Sequence, residues 1–218
     1  MHLSFCCAVL SFAVAFATLR GEEDIFEFDF SEGLGLFVPL NPENWVTEDG
    51  GVSGIASLKT PGKHRPPVRR PREYAILEDK VWKDYEFIIR AQSREDISKT
   101  GRDITLIFGY QDDLHFYYVH ICAESNGRFH NVIMKVAGEE RFMIQEPALP
   151  EVRLREGWND IKLTHLSTGA ISIYVGDMDT PFMVACDTAY EGGVIGFGCF
   201  DDRGWFDDIV VTGKLVEE

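Results

Sequence analysis

Residues 115–122, HFYYVHIC, alternate between two sets of side chains with a period of two, which is typical of a β-strand. One face of that strand carries Tyr117, Val119 and Ile121. The other face carries Phe116, Tyr118, His120 and Cys122. Since the first face is the one suited to a protein core, we expect Tyr118 and His120 to project from the opposite side of the sheet.

Segments of similar length lie on both sides of this strand. They include IFEFDF, EYAIL, YEFIIRAQ, DITLIFGY, NVIMKVA, DIKLTHL, AISIYVGD, FMVACD, VIGFGCF and FDDIVVTG. Turn sequences such as QDDL, ESNGR and STG separate several of them, and no segment keeps a helical repeat over three turns. So many short strands predict an all-β protein built as a two-sheet antiparallel sandwich.

Residues 48–72 interrupt this pattern with four of the nine prolines, which predicts a long ordered loop or flap. The segment is also cationic. Six of the 21 basic residues fall within it: Lys59, Lys63, Arg65, Arg69, Arg70 and Arg72. Two interpretations stay open, namely recognition of a carboxylated or sulfated polysaccharide and a solvated loop paired with nearby acids.

The charge of the whole chain narrows the choice of partners. Across 218 residues, 21 Lys and Arg stand against 36 Asp and Glu, giving a formal net charge of −15. Such a field repels phosphate backbones and anionic membranes, so we expect no nucleic-acid partner. Residues 18–218 are enough for a single sandwich domain, which we expect to be a monomer.

The first 17 residues, MHLSFCCAVLSFAVAFA, form an apolar run that ends in a small-x-small pattern. We interpret residues 1–17 as a signal peptide, which implies a secreted or periplasmic protein. The run is too short to span a bilayer and no later stretch is longer, so we expect no membrane span. An N-terminal anchor or a buried strand stays open as an alternative, because the run begins without Lys or Arg.

Three cysteines follow the leader: Cys122, Cys186 and Cys199. This small, odd number indicates that the fold does not depend on a disulfide framework. Cys186 and Cys199 would be able to pair if their strands were neighbours. We expect Cys122 to be a small buried hydrophobic residue.

Two blocks carry a resemblance to a known group, FGYQDDLHFYYVHI at residues 108–121 and GFGCFDDRGWFDDIVV at residues 196–211. With them the sequence resembles secreted concanavalin A-like lectin/glucanase domains, near the DUF1080 (3-keto-disaccharide hydrolase) and laminin-G-like groups. The resemblance implies a jelly roll whose concave sheet usually faces glycans. It does not fix a reaction, since binding modules, hydrolases and lyases share this fold.

The resemblance implies that Tyr118 and His120 lie on the concave sheet. Jelly-roll polysaccharide lyases combine such a pair with arginine and amide side chains, which makes Tyr118 and His120 candidate catalytic residues. Arg72, Arg102 and Asn131 would complete the substrate-binding set. The main expectation is an exported glycan-binding domain. A glycoside hydrolase or lyase, a structural or adhesion module, and simple packing of these rings within the sheet stay open.

Three further patterns have a functional and a structural interpretation. Glu27, Asp29 and Glu32 match the ExDxxE spacing of laminarinase-like glycosidases, but they lie on the first strand, among alternating phenylalanines, which favours an ordinary half-buried strand. Asp207 and Asp208, with neighbouring acids, offer oxygen ligands for a structural calcium ion or serve as turn caps. Trp205, Trp45 and Trp82 are candidates for sugar stacking or for the core.

The leader gives a first testable prediction. Because cleavage after Ala17 is expected, N-terminal sequencing of the protein recovered from the culture medium or periplasm of its source should begin at or near Thr18. Recovery of the chain with Met1 intact would contradict this prediction.

Overall fold

The computed structural model describes residues 23–51, 53–63, 65–145, 151 and 153–216. The proposed signal peptide over residues 1–17 lies outside the described residues. Within the described ranges the chain forms short strands and one 3-10 helix, Pro42–Asn44. The strands are β1 (Asp24–Phe28), β2 (Phe37–Pro39), β3 (Trp45–Asp49), β4 (Gly54–Leu58), β5 (Glu73–Leu77), β6 (Trp82–Ser93), β7 (Asp103–Asp112), β8 (His115–Cys122), β9 (Val132–Ala137), β10 (Glu140–Met143), β11 (Asn159–His165), β12 (Ala170–Val175), β13 (Met183–Cys186), β14 (Gly192–Cys199) and β15 (Gly204–Leu215).

The strands form two packed antiparallel sheets. Sheet I has the order β10-β9-β8-β7-β14-β5-β2, and sheet II has the order β1-β15-β6-β11-β12-β13, with β4 and β3 continuing from the start of β15. The sheets meet at β14, whose first two residues pair with β6 of sheet II before the strand continues in sheet I. The predicted antiparallel sandwich is confirmed. Among the described residues, no helix has the length and apolar character needed to cross a membrane.

The core lies between the two sheets and follows the alternation of each strand. Sheet I contributes Tyr117, Val119 and Ile121, as their period-two pattern predicts, and sheet II contributes Phe87 and Ile89. All five side chains are fully buried. The inward face of β8 is therefore confirmed.

Residues 48–72 are not one loop, contrary to expectation. β3 continues to Asp49, and β4 occupies Gly54–Leu58 with all five residues buried, so the glycines between them serve a hairpin turn. The remainder, residues 59–63 and 65–72, we call the strap. The strap covers the outer face of sheet I, where Val68 is 5% exposed and Arg70 is 4% exposed.

Under the strap the outer face of sheet I carries a second apolar cluster. Its buried members are Val68, Tyr74, Ile107, Phe116, Tyr118, Val132, Met134, Val136 and Phe200. Sheet I is thus packed on both faces. This explains why HFYYVHIC has aromatic side chains on both sides of the strand.

The three cysteines in the part of the chain that the structure describes are free thiols. Cys186 is exposed on β13, which pairs with β12, whereas Cys199 is buried on β14, which pairs with β5, β6 and β7. The condition for a Cys186–Cys199 disulfide is not met, because their strands are not neighbours. Cys122 is fully buried, as expected.

Glu73 is a buried carboxylate at the start of β5 that accepts four hydrogen bonds. Asn41 donates its backbone N–H and its side-chain amide, at 3.0 and 2.8 Å, and Asn44 donates its side-chain amide at 2.7 Å. The indole N–H of Trp45 donates to it at 3.0 Å. Trp45 in turn packs against Phe197, with ring centroids 5.8 Å apart. One carboxylate therefore fixes residues 41–45 against both β5 and the core.

Replacement of Glu73 should destabilise the fold severely. Glu73→Ala leaves four donors without their acceptor, so we expect a loss of about 3 kcal/mol or more in the free energy of unfolding. Glu73→Gln, which turns an amide NH₂ toward two of the donors, should cost about 2 kcal/mol. Urea unfolding followed by tryptophan fluorescence measures both. Glu78→Gln, an exposed change just beyond the same strand, is the control, and a Glu73→Gln loss equal to that of the control would contradict the anchoring role.

Candidate functional site

Tyr118 lies on the outer face of sheet I, between Ile107 of β7 and Met134 of β9. The side chain is 1% exposed, and its ring packs against Phe200 at 5.5 Å between centroids. Its hydroxyl accepts a hydrogen bond from Nη1 of Arg141 at 2.9 Å. Burial raises the pKa of Tyr118, and the nearby guanidinium groups of Arg141 and Arg69 oppose that shift. The phenol therefore stays protonated at neutral pH.

Three arginines lie around this hydroxyl and around Phe129. The guanidinium carbons of Arg141 and Arg128 lie 5.4 and 5.7 Å from the ring centroid of Phe129, which is 47% exposed. The guanidinium of Arg69 lies 5.7 Å from the ring of Phe200. We call Arg69, Arg128 and Arg141 the arginine rim. It concentrates positive charge beside an exposed aromatic ring in a strongly acidic chain.

His120 lies two residues after Tyr118 on β8, on the same face of the strand, and is also buried. Its Nδ1 lies 2.5 Å from the carbonyl oxygen of Phe129, and because a carbonyl only accepts, Nδ1 carries the proton and donates. Its Nε2 lies 3.4 Å from a carboxylate oxygen of Asp103. The ring stacks on Phe200 at 4.4 Å between centroids. His120 therefore holds the loop that carries Phe129 in place.

Tyr118 and His120 lie on the expected face of β8, opposite the core, but both are buried there, which favours the alternative in which these rings pack within the sheet. Phe200 packs over both rings, and Val68 of the strap joins the same buried cluster as Tyr118. Substitution of either side chain will therefore disturb packing as well as any binding. The more exposed groups beside these rings are Arg69, Arg128 and Phe129.

The other three predicted substrate-binding residues make structural contacts. Arg72 forms an ion pair with Asp201. Arg102 donates from Nη1 to the carbonyl oxygens of Ile97 and Lys99, at 3.0 and 3.3 Å, and so closes its own loop. The structure does not bring Arg102 to the Tyr118 hydroxyl.

Asn131 is fully buried and has a left-handed backbone, with φ of 55°. Its side-chain oxygen accepts from the N–H of Cys122 at 2.8 Å, and its amide donates to the carbonyl of Glu124 at 3.0 Å. These bonds latch the loop between β8 and β9. Both polar atoms of the Asn131 side chain are thus hydrogen-bonded to backbone groups. Asn131 therefore stabilises the loop that carries Phe129.

Two buried aspartates, Asp103 and Asp202, stabilise the backbone next to Phe200. Asp103 donates its backbone N–H to Asp202 at 2.8 Å, and one of its carboxylate oxygens accepts from the N–H of Phe200 at 2.9 Å. Lys99 forms an ion pair with Asp202. Burial, followed by the charge of Asp103, raises the pKa of Asp202 to about 6. The position of Phe200 over His120 therefore depends on Asp103.

The carboxylates proposed for calcium have separate partners. Asp207 accepts from the hydroxyl of Ser53 at 2.8 Å and from the N–H of Asp208 at 2.7 Å. Asp208 pairs with Arg90, with 2.5 Å between Nη1 and Oδ2. In the part of the chain that the structure describes, no three His, Cys, Asp or Glu side chains gather as a metal-binding group. The calcium site stays a prediction.

The tryptophans occupy different environments. Trp45 and Trp82 are buried, which confirms the core interpretation for them. Trp205 is half-buried on sheet II, where its indole N–H donates to Ser57 at 3.0 Å and the guanidinium of Arg94 lies 3.6 Å from a ring centroid.

The ExDxxE pattern is split between a strand and a turn. Glu27 is exposed on β1, whereas Asp29 lies beyond the strand and accepts from the N–H of Ser31 at 3.1 Å. These positions fit the interpretation as an ordinary first strand.

Comparison with known proteins finds no matching family model and no matching curated sequence. Solved structures do match. The carbohydrate-binding module CBM66 from Bacillus subtilis has a TM-score of 0.56 at 13% identity, covering 80% of this chain and 93% of that one. A protein of unknown function with a galectin-like fold, also from Bacillus subtilis, has a TM-score of 0.58 at 10% identity, covering 88% and 96%. Peanut lectin has a TM-score of 0.55 at 14% identity, covering 91% and 100%.

These likenesses show a fold of the lectin and carbohydrate-binding-module type, in agreement with the concanavalin A-like sandwich expected from the sequence. At such low identity they show the fold alone. The narrower resemblance to the DUF1080 group stays an expectation.

Sequence reasoning missed Arg128, Phe129 and Arg141. Arg128 and Phe129 directly follow the turn sequence ESNG, where an exposed aromatic residue beside an arginine was a usable signal. Arg141 lies on the edge strand β10, and its approach to Tyr118 depends on the pairing of β8, β9 and β10. Arg69 was in the predicted cationic segment.

The raised pKa of Asp202 gives a pH-dependent prediction. In the folded chain this carboxyl keeps a proton that the unfolded chain has already released, so its contribution to the free energy of unfolding falls as pH rises from about 4 to about 6. Asp202→Asn keeps an acceptor for the N–H of Asp103 and cannot titrate. The difference between wild type and Asp202→Asn should therefore decline by about 2 kcal/mol over that interval.

Urea unfolding at a series of pH values measures this difference. Asp96→Asn is the control, because hydrogen bonds from Ser98 lower the pKa of Asp96, which is the opposite direction from the shift of Asp202. A wild-type to Asp202→Asn difference that is constant from pH 4 to pH 6 would show that the Asp202 carboxyl is not perturbed.

Proposed function

We propose that this domain binds a carbohydrate at the arginine rim. The observation that carries the proposal is the contact of Arg141 with both the Tyr118 hydroxyl and the exposed ring of Phe129. The hydroxyl of Tyr118 accepts a hydrogen bond from Nη1 of Arg141. This bond fixes the orientation of the guanidinium and therefore of its other N–H groups. Such a fixed arginine beside an exposed aromatic ring is suited to a ligand with an apolar ring face and acceptor groups.

The ligand class that fits this surface is an anionic polysaccharide. Arginine donates two parallel hydrogen bonds to a carboxylate or a sulfate, and a sugar ring can place its C–H groups against Phe129. The surrounding chain is acidic, so an anionic ligand would be attracted only where positive charge is concentrated. The side chain of Arg69 is 63% exposed, and its Nη2 lies 3.8 Å from a carboxylate oxygen of Asp201, so Arg69 adds a partly compensated positive charge near Phe200.

The fold supports carbohydrate binding without specifying it. A carbohydrate-binding module and a lectin have the same type of sandwich, although unrelated functions also occur on this fold. We also propose, from the leader sequence alone, that the domain is exported. That location would place it where polysaccharides are the available ligands.

Binding explains the site better than catalysis. A lyase would need His120 and Asn131 to face the sugar, yet both are buried and bonded to backbone carbonyl or N–H groups. The Tyr118 hydroxyl is likewise buried beneath Arg141. We therefore rank glycan binding before a hydrolase or a lyase, and before a purely adhesive module.

A glycan array followed by calorimetry tests the proposal. The protein should bind carboxylated or sulfated polysaccharides, and Arg141→Gln should weaken that binding by at least tenfold, because a charged donor pair is lost. Arg69→Gln should weaken it less. Arg155→Gln, an exposed change outside the rim, should leave the affinity unchanged. Added salt should lower the wild-type affinity.

Three results would count against the proposal. An array without any anionic glycan would remove the ligand class. Equal affinity of wild type and Arg141→Gln would move the site elsewhere. Release of reducing ends or of ultraviolet-absorbing unsaturated products, abolished by substitutions in this region, would favour the enzyme instead.

A further inference from the structure

A second concave surface lies where the two sheets meet. It is an open cavity of about 530 Å³, in the range of small-molecule sites, lined by residues from the start of β6, the β7–β8 hairpin and the segment before β14. Among its lining residues are Gln111, His115, Tyr190 and the Lys83–Glu191 pair. None of these side chains belongs to the arginine rim.

Gly192, which lines this cavity, lies at the crossing of β14 between the two sheets. Gly192 and Gly193 pair with β6, whereas Val194 pairs with Tyr110 of β7. A Cβ atom on Gly193 would lie 2.5 Å from the carbonyl carbon of Gly109, so the two backbones approach as closely as glycine permits. The backbone next to the lining residue Gly192 is therefore closely packed.

Tyr190 forms an aromatic wall in a fixed orientation. Its hydroxyl donates to the carbonyl of Val136 at 2.7 Å, and its backbone N–H donates to the hydroxyl of Tyr117 at 3.0 Å. Tyr117 in turn donates to the carboxylate of Asp187 at 2.6 Å. With its hydroxyl already engaged, the half-buried ring offers a ligand its apolar surface rather than a polar group.

The polar groups of the cavity are also fixed, each by a bond that leaves another atom for a ligand. The amide nitrogen of Gln111 donates to the carbonyl of Gly192 at 2.7 Å, which leaves the amide oxygen as an acceptor. Asp112 holds Nδ1 of His115 at 2.9 Å, which leaves Nε2. Nζ of Lys83 and a carboxylate oxygen of Glu191 lie 2.9 Å apart, so their charges compensate each other.

We propose that this cavity is a binding site for one residue of a neutral saccharide. Its C–H face would pack on Tyr190, and its hydroxyl groups would exchange hydrogen bonds with Gln111, His115 and the Lys83–Glu191 pair. A paired ammonium and carboxylate can serve a hydroxyl group as donor and acceptor, whereas a charged ligand would have to separate them. The site differs from the arginine rim in place and in ligand charge, and it does not depend on the function proposed for the rim.

The test uses the methyl glycosides of glucose, galactose, mannose and xylose as probes, titrated into the ¹⁵N-labelled protein and followed by NMR. At least one glycoside should shift the amide signals of Ala189, Tyr190 and Gly192 saturably. Ala189→Trp, which adds an indole to an exposed lining position, should weaken that binding by at least tenfold. Ala170→Trp is exposed on β12, outside the lining, and should bind as wild type does.

The outcomes separate this site from the rim. Arg141→Gln should retain the binding, and about 0.5 M salt should change the affinity by less than twofold, because no net charge is involved. The proposal is overturned if none of the four glycosides gives saturable shifts, or if Ala189→Trp binds as tightly as wild type. It is equally overturned if Arg141→Gln abolishes the shifts, since the sugar would then occupy the rim.

Discussion

The buried carboxylate of Glu73 is the contact that holds three separate parts of the chain together. Its four donors come from Asn41, Asn44 and Trp45, while its own backbone pairs with Cys199 of β14. Glu73 also follows directly after the strap, so the end of the strap is fixed at the same point. Because the carboxylate is fully buried, its charge is tolerated only while these donors remain in place. The Glu73 carboxylate therefore fixes both Trp45, which packs in the aromatic core, and the end of the strap that covers sheet I.

The fold was largely predictable because alternation is a local property. The inward residues of β8 follow from the two-residue period alone, and the same reasoning identified most of the other strands. The covering of the outer face was not predictable in this way. It joins Val68 with Tyr118 and Phe200, which are far apart in sequence. The signal that was present is the aromatic character of both faces of HFYYVHIC, which indicates a strand buried on both sides.

The candidate site was predictable only in part. The cationic segment contained Arg69, and Tyr118 was placed on the correct face, but Arg72 is paired with Asp201 instead. Arg141 reaches Tyr118 because β10 pairs with β9 and β9 pairs with β8, which places Arg141 opposite Val136 and Val136 opposite Phe116. Such a register is set by the whole sheet. The sequence around Arg141 alone therefore does not predict its contact with Tyr118.

If the rim is the binding surface, as proposed, then Asp103 and His120 have a structural role in positioning Phe129. Asp103 holds the N–H of Phe200, Phe200 stacks on His120, and His120 donates to the carbonyl of Phe129. A continuous set of contacts thus leads from Asp103, at the start of the central strand β7, to the exposed ring that Arg128 and Arg141 flank. Residues that resemble a catalytic set in the sequence therefore act, in this fold, by fixing the loop that presents Phe129. Rigid presentation of a few exposed groups lowers the entropy lost on binding, which favours the rim as the proposed binding surface.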